Sequence, residues 1–115
     1  MEERIHFKDL NYDKKIVISK LVAEYNLFSL EVFPYTHCKA KVWEESDGTF
    51  LALSNITIKD KVNGARDGTS GRGNSEVEAL DKLIRNLLEL ISNRECILGR
   101  KLQDEDYDYI DCDDF

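Results

Sequence analysis

The alternation of apolar and polar positions predicts a run of strands flanked by two helices. The first predicted helix spans residues 12–27, where apolar side chains recur at the spacing of one helix face: Ile18, Leu21, Val22 and Tyr25. The β-branched run from Ile16 to Ile18 opposes a helix, because such side chains lose rotamer freedom there. The lysines and glutamates of the segment fall mostly on the other side, which favours the helix.

The second predicted helix, over residues 75–92, has the clearer signal. Ser75 and Glu78 form a capping box, in which each side chain accepts from a main-chain amide at the start of the helix. The segment then carries a broad apolar stripe made of Leu80, Leu83, Ile84, Leu87, Leu88 and Ile91. We expect this helix to be the main anchor of the core.

Strand patterns occupy the middle of the chain. Residues 38–45 alternate between apolar and polar, Asp47-Gly48 has the composition of a hairpin turn, and residues 50–58 form the partner strand. A third strand is predicted around residues 64–70. The predicted fold is therefore α+β: an N-terminal helix, a three-stranded antiparallel sheet and a long C-terminal helix packed on one face, as a two-layer sandwich.

One part of this layout is similar to known families. The Asp47-Gly48 hairpin, followed by G-x-S-G-x-G-N-S-x-x-E-A-L at residues 68–80 opening a long helix, resembles the βββα order of HicB-type antitoxin domains, of double-stranded-RNA-binding domains and of small phage-encoded proteins. The resemblance covers residues 38–92. RNA-binding members carry a lysine cluster where this chain has Glu76 to Ala79, so the resemblance implies a fold and not RNA binding.

Length and composition point to one globular domain. The chain has 115 residues, with 42% apolar and 34% charged side chains. No apolar run reaches the length of a membrane helix, and residues 1–10 lack the layout of a signal peptide. Three cysteines without paired spacing argue against a disulfide framework. We expect a cytoplasmic protein with no membrane partner.

The charge is concentrated at one end. The chain holds 23 Asp and Glu against 16 Lys and Arg, a net charge of −7. Residues 104–115, the acidic segment, contain seven acidic side chains and no basic one, so residues 1–103 are neutral. This division predicts a single α+β domain over 1–103 and an acidic tail over 104–115, suited to a cationic partner.

Three interpretations of the acidic segment remain open. Its carboxylates can imitate nucleic-acid phosphates in a basic groove, or its end can act like the acidic, Phe-ended tip of single-stranded-DNA-binding proteins, which it resembles at Asp113-Asp114-Phe115. It can also be a solubilising tail. Its aromatic residues favour binding. The candidate partner-binding residues are Asp104, Asp106, Tyr107, Asp108, Tyr109, Asp111, Asp113, Asp114 and Phe115.

A second candidate site is the glycine-rich segment before the second helix. Free amides and the helix dipole can hold an anion there, and arginines can add charge. The candidate residues are Arg66, Arg72, Gly73, Asn74 and Ser75. The Gly-Lys-Ser/Thr ending of a P-loop is absent.

Catalysis and metal binding are not expected. His37 and Cys38 are adjacent, and neighbouring strand side chains point to opposite faces. The histidines and cysteines lack zinc spacing, and Asp104 to Phe115 fails the EF-hand pattern at its glycine and glutamate positions. No cofactor is implied.

The sequence therefore predicts a non-enzymatic, acidic protein-binding inhibitor or regulator of the type that phages and mobile elements encode. Its acidic, aromatic tail would block a host protein that has a basic nucleic-acid-binding groove, without direct binding to nucleic acid. Two alternatives stay open: a module that binds a phosphate-bearing small molecule such as a nucleotide, and an antitoxin-like partner of a basic toxin.

Overall fold

The computed structural model describes residues 6–10, 12–13, 15–28, 38–59, 65–110 and 115. These residues form seven strands, one α-helix and two short 3-10 turns. In chain order the elements are a 3-10 turn (Phe7–Asp9), β1 (Ser19–Leu27), β2 (Cys38–Glu45), β3 (Phe50–Ser54), β4 (Ile56–Lys59), β5 (Arg66–Asp67), β6 (Ser70–Gly73), α1 (Glu76–Leu98), a 3-10 turn (Asp104–Asp106) and β7 (Tyr107–Tyr109).

The larger sheet has four antiparallel strands in the order β1-β2-β3-β6. The alternation predicted for β2 is confirmed, because Cys38, Ala40 and Val42 are fully buried while the residues between them are partly exposed. The predicted hairpin turn is present as well: Gly48 has a φ of 92°, which a glycine adopts without strain. The amide of Thr49 donates to Oδ1 of Asp47 at 2.9 Å and closes the turn.

The smaller sheet has three strands in the order β5-β4-β7 and continues from the larger one. Only Asn55 separates β3 from β4, and this buried residue joins the two sheets. Its Oδ1 accepts from the amide of Lys39 at 2.8 Å, and its Nδ2 donates to the main-chain oxygen of Ile110 at 3.3 Å. Asn55 therefore ties the start of β2 to the end of β7.

The helix α1 packs against the four-stranded sheet and shares a core cluster with Ile56 and Ile58 of the smaller sheet. Ser75 accepts from the amide of Glu78 at 3.1 Å and caps its start, and Gly99, with a φ of 69°, ends it. Its buried positions recur every fourth residue: Ala79, Leu83, Leu87 and Ile91. Residues 96–98 form its last turn, so the helix extends six residues beyond the predicted end at residue 92. Leu88 of the predicted stripe is 47% exposed, because the apolar stripe covers a wider part of the helix surface than the part that contacts the sheets.

The closest contact in the interface is between α1 and β6. A Cβ atom at Gly71 would overlap the main-chain oxygen of Ala79 and the main-chain nitrogen of Leu83. Gly71 therefore lets the helix backbone lie directly on the strand.

The mixed α+β class is confirmed, but two details of the prediction were wrong. Residues 19–27 form strand β1 instead of a helix, and the single three-stranded sheet is replaced by sheets of four and three strands. Pairing of eight of its nine residues with β2, with a bulge between Leu21 and Ala23, outweighs the helical spacing of the apolar side chains. No helical segment in the described ranges has both the length and the apolar content needed to cross a membrane.

Candidate functional site

The acidic segment begins with a turn held by an ion pair in which the carboxylate is buried and the arginine is partly exposed. Asp106 is 1% exposed, and its two carboxylate oxygens accept from Nη1 and Nη2 of Arg100 at 2.8 and 3.0 Å. Oδ2 of Asp106 also accepts from the amide of Gln103 at 2.7 Å. This hydrogen-bonded pairing raises the pKa of the Arg100 guanidinium. Asp106 therefore organises the turn that leads into β7, and a partner could contact its carboxylate only after that turn opens.

The strand β7 then places the segment against the body. Tyr107 is 5% exposed and packs in the core beside Ile56 and Ile58, and burial raises the pKa of its hydroxyl to about 12. Asp108 lies opposite Thr57, whose hydroxyl donates to its main-chain oxygen at 3.0 Å. Tyr109 is partly buried and packs against the same core. Tyr107 is thus an anchor within the fold.

The acidic side chains of the segment differ in their availability. Asp108 is paired with Arg66, with 2.8 Å between Oδ2 and Nε, whereas Asp104 and Glu105 are exposed. The predicted binding residues Asp111, Asp113 and Asp114 lie outside the described residues. Of the described acidic candidates, the structure leaves Asp104 exposed and engages Asp106 and Asp108 in ion pairs with arginines of the same chain.

Phe115 lies against the face of the four-stranded sheet opposite α1, here called the open face. Nζ of Lys41 is 4.5 Å from the centroid of the Phe115 ring and donates to the main-chain oxygen of Phe115 at 3.2 Å. Phe115 also lines a groove of about 470 Å³ with Trp43, Leu51 and Arg72. The acidic segment and the open face therefore meet at Phe115.

The open face is built by register across four strands. Leu21, Trp43, Leu51 and Arg72 are cross-strand neighbours in one row. The next row holds Glu24, Lys41, Leu53 and Ser70. Each row therefore holds one cation: the first places it with three apolar side chains, and the second with one apolar side chain and the carboxylate of Glu24. The sequence pattern contained part of this signal, since lysines and a tryptophan alternate along β2, but it could not show which residues of β3 and β6 join them.

Carboxylates partly neutralise the cations of this face. Nη1 of Arg72 is 2.7 Å from Oε1 of Glu45, and Nζ of Lys39 is 3.7 Å from Oε1 of Glu24. The open face is consequently apolar and only weakly cationic.

The predicted anion site does not converge in the structure. Arg66 points to Asp108 and Arg72 to Glu45, so each guanidinium is occupied by a carboxylate. The hydroxyl oxygen of Ser75 accepts from the amide of Glu78 as the helix cap. Gly73 packs so closely against α1 that an added Cβ would lie 2.8 Å from Cβ of Glu78. Asn74 is exposed. Two carboxylates, Glu76 and Glu78, stand in the first turn of α1 and disfavour a bound anion.

Two observations on the described residues concern metal binding and thiol reactivity. They contain no group of three or more His, Cys, Asp or Glu that could hold a metal ion. Burial raises the pKa of the Cys38 thiol to about 11, which disfavours the reactive thiolate. Its neighbour His37 lies outside the described residues.

Comparison with known proteins adds no relative: no family model, no curated protein and no solved structure matches this chain.

Proposed function

We propose that this protein is a non-enzymatic, acidic inhibitor or regulator that occupies the basic nucleic-acid-binding groove of a partner protein, as phage-encoded proteins of this kind do. The observation that carries the proposal is the way the acidic segment is attached. The strand β7 pairs with β4, while Asp104 and Glu105, in the turn that precedes it, stay exposed. We place the protein in the cytoplasm with its partner, away from membranes.

Anchoring supports such a role because it lowers the entropy lost on binding. A free acidic tail must be ordered when it meets a groove, whereas a segment paired into a sheet is already ordered at its base. The ion pair between Arg100 and Asp106 and the one between Arg66 and Asp108 stabilise that base. The exposed carboxylates then sit at a defined place on the surface.

Charge arithmetic supports the choice of a cationic partner. Asp106 and Asp108 are each balanced by an arginine of the body, so the described acids of the segment that stay exposed for a partner are Asp104 and Glu105. The sequence adds three further acids, at positions 111, 113 and 114. Attraction between such a cluster and a basic groove speeds association and weakens with salt.

The test begins with capture of partners from nuclease-treated host lysate and continues with the purified partner. The binding variant combines Asp104→Asn with Glu105→Gln, and the matched control combines Asp81→Asn with Glu89→Gln. Both remove two exposed negative charges, but the control removes them from the helix α1. We expect only the binding variant to weaken the complex and to flatten its dependence on salt concentration.

A competing oligonucleotide provides the second readout. Displacement of the protein by single- or double-stranded oligonucleotide is expected if both occupy the same groove. A complex that both double variants weaken equally, or one that nucleic acid leaves intact, would contradict the proposal.

A further inference from the structure

The open face carries features of a binding site that the acidic segment by itself does not explain. Two grooves flank Phe115: one of about 470 Å³, lined by Trp43, Leu51 and Arg72, and one of about 330 Å³, lined by Thr57 and Ile110. Leu53 and Phe115 line both grooves, so the two grooves adjoin at the ring. Together they offer more space than the single ring between them fills.

The contacts of Phe115 define the chemistry that the face accepts. A flat ring rests beside apolar side chains, and the ammonium group of Lys41 contacts both the ring and a main-chain oxygen. An aromatic side chain in an extended peptide meets these requirements. The residues before Phe115 in the sequence are acidic, which suits the weak positive charge of the face.

Charge distinguishes this occupant from a nucleic acid. The cations Lys39, Lys41 and Arg72 share the face with the carboxylates Glu24 and Glu45. A phosphate backbone needs a continuous basic track, and two carboxylates within it would repel successive phosphates. A peptide that brings one ring and a few carboxylates requires only a local positive charge.

We propose that the open face is a docking site for a protein segment in which a phenylalanine follows acidic residues, and that the end of this chain occupies the site in cis. A segment of the same chemistry from a partner protein binds by displacing Phe115. This inference goes beyond the proposed function, because it concerns what the body of the protein binds rather than what its acidic segment binds.

The experiment uses the full chain and a labelled peptide with the sequence of residues 109–115, in which serine replaces the cysteine. Binding is followed by fluorescence anisotropy and by the emission of Trp43, the single tryptophan of the chain. The Phe115→Ala variant frees the face, and we expect it to bind the peptide at least about tenfold more tightly than the wild-type chain, which competes in cis.

Two controls assign the binding to the open face. Lys41→Met, added to Phe115→Ala, keeps the apolar stem but removes the ammonium group, and we expect a loss of about fivefold or more in affinity. Lys82→Met removes a comparable charge from α1 and should leave the affinity unchanged. A peptide with alanine in place of its phenylalanine should not bind. Circular dichroism and thermal melting establish that every variant is folded.

Three outcomes would overturn the inference. The first is absence of peptide binding to Phe115→Ala at about 1 mM, a concentration that detects even weak sites. The second is equal affinity for the peptide when Lys41→Met and Lys82→Met are each added to Phe115→Ala. The third is binding of a single-stranded oligonucleotide in preference to the peptide, which would make the face a nucleic-acid site. Failure of the cationic-partner experiment has no bearing on these outcomes, so the two proposals can fail separately.

Discussion

Replacing Gly71 with alanine tests the contact that positions α1 on the sheet. The added methyl group would overlap main-chain atoms of Ala79 and Leu83, and it would lie 2.9 Å from Cα of Leu83. The obstructing atoms belong to the helix backbone, so no side chain can rotate away to make room. The helix must move off β6, and the packing of its buried side chains is disturbed with it.

The size of the effect follows from this geometry. Overpacking a well-packed core costs about 1–3 kcal/mol, and contact with backbone atoms places this substitution at about 3 kcal/mol, the upper end. The smaller freedom of alanine in the unfolded chain offsets about 0.4–1 kcal/mol of that loss. We therefore expect a net decrease of about 2 kcal/mol in the free energy of unfolding, a large share of the roughly 5–15 kcal/mol typical of a domain.

Urea denaturation, followed by circular dichroism and by the emission of Trp43, measures this change. Gly68→Ala is the matched control, because its Cβ would meet only Cγ2 of Thr57, at an ordinary distance of 3.6 Å. We expect the control to stay within about 0.5 kcal/mol of the wild type. A Gly71→Ala protein as stable as the Gly68→Ala protein would refute the close contact between the backbone of α1 and β6 at Gly71.

Three further predictions concern buried groups. Asp106→Asn should lower the free energy of unfolding by about 2 kcal/mol because it removes a charged acceptor, whereas Asp104→Asn, on the surface, should leave urea denaturation nearly unchanged. The pKa of Tyr107 is raised from 10.0 to about 12, so its contribution to stability is present below pH 10 and lost as the pH rises through about 12; Tyr107→Phe should remove that part of the alkaline loss in thermal melts. Cys38, buried and with a raised pKa, should resist iodoacetamide at pH 8 in the native protein while the exposed Cys96 reacts, and equal labelling in peptide mass spectrometry would contradict its burial.

Local patterns predicted some elements well because their signals are contained within a few residues. The cap at Ser75, the hairpin turn at Gly48 and the alternation of β2 depend on neighbours along the chain. The helix predicted over residues 12–27 was wrong: residues 19–27 form a strand although their apolar spacing fits a helix, and the β-branched run over residues 16–18 lies just before that strand. Pairing with β2, which the sequence of the segment does not encode, selects the strand.

The candidate site shows the same division. The sequence located the acidic segment and its aromatic residues, but it could not separate buried from exposed acids. Asp108 on β7 forms an ion pair with Arg66 on β5, and Phe115 accepts a hydrogen bond from Lys41 on β2, far earlier in the chain. Such contacts depend on strand order and register, which no local pattern specifies.

By itself, the sequence determined the long amphipathic helix, the hairpin, the α+β class and the placement of the net charge in residues 104–115. These features follow from periodicity, turn chemistry and composition, which act over short distances along the chain. Only the tertiary structure decided that the acidic segment contributes a strand, that Asp106 is buried and that the open face gathers Trp43, Leu51 and Lys41. The physical reason is that burial and cross-strand contact are properties of residues brought together by folding, at separations that the sequence pattern does not record.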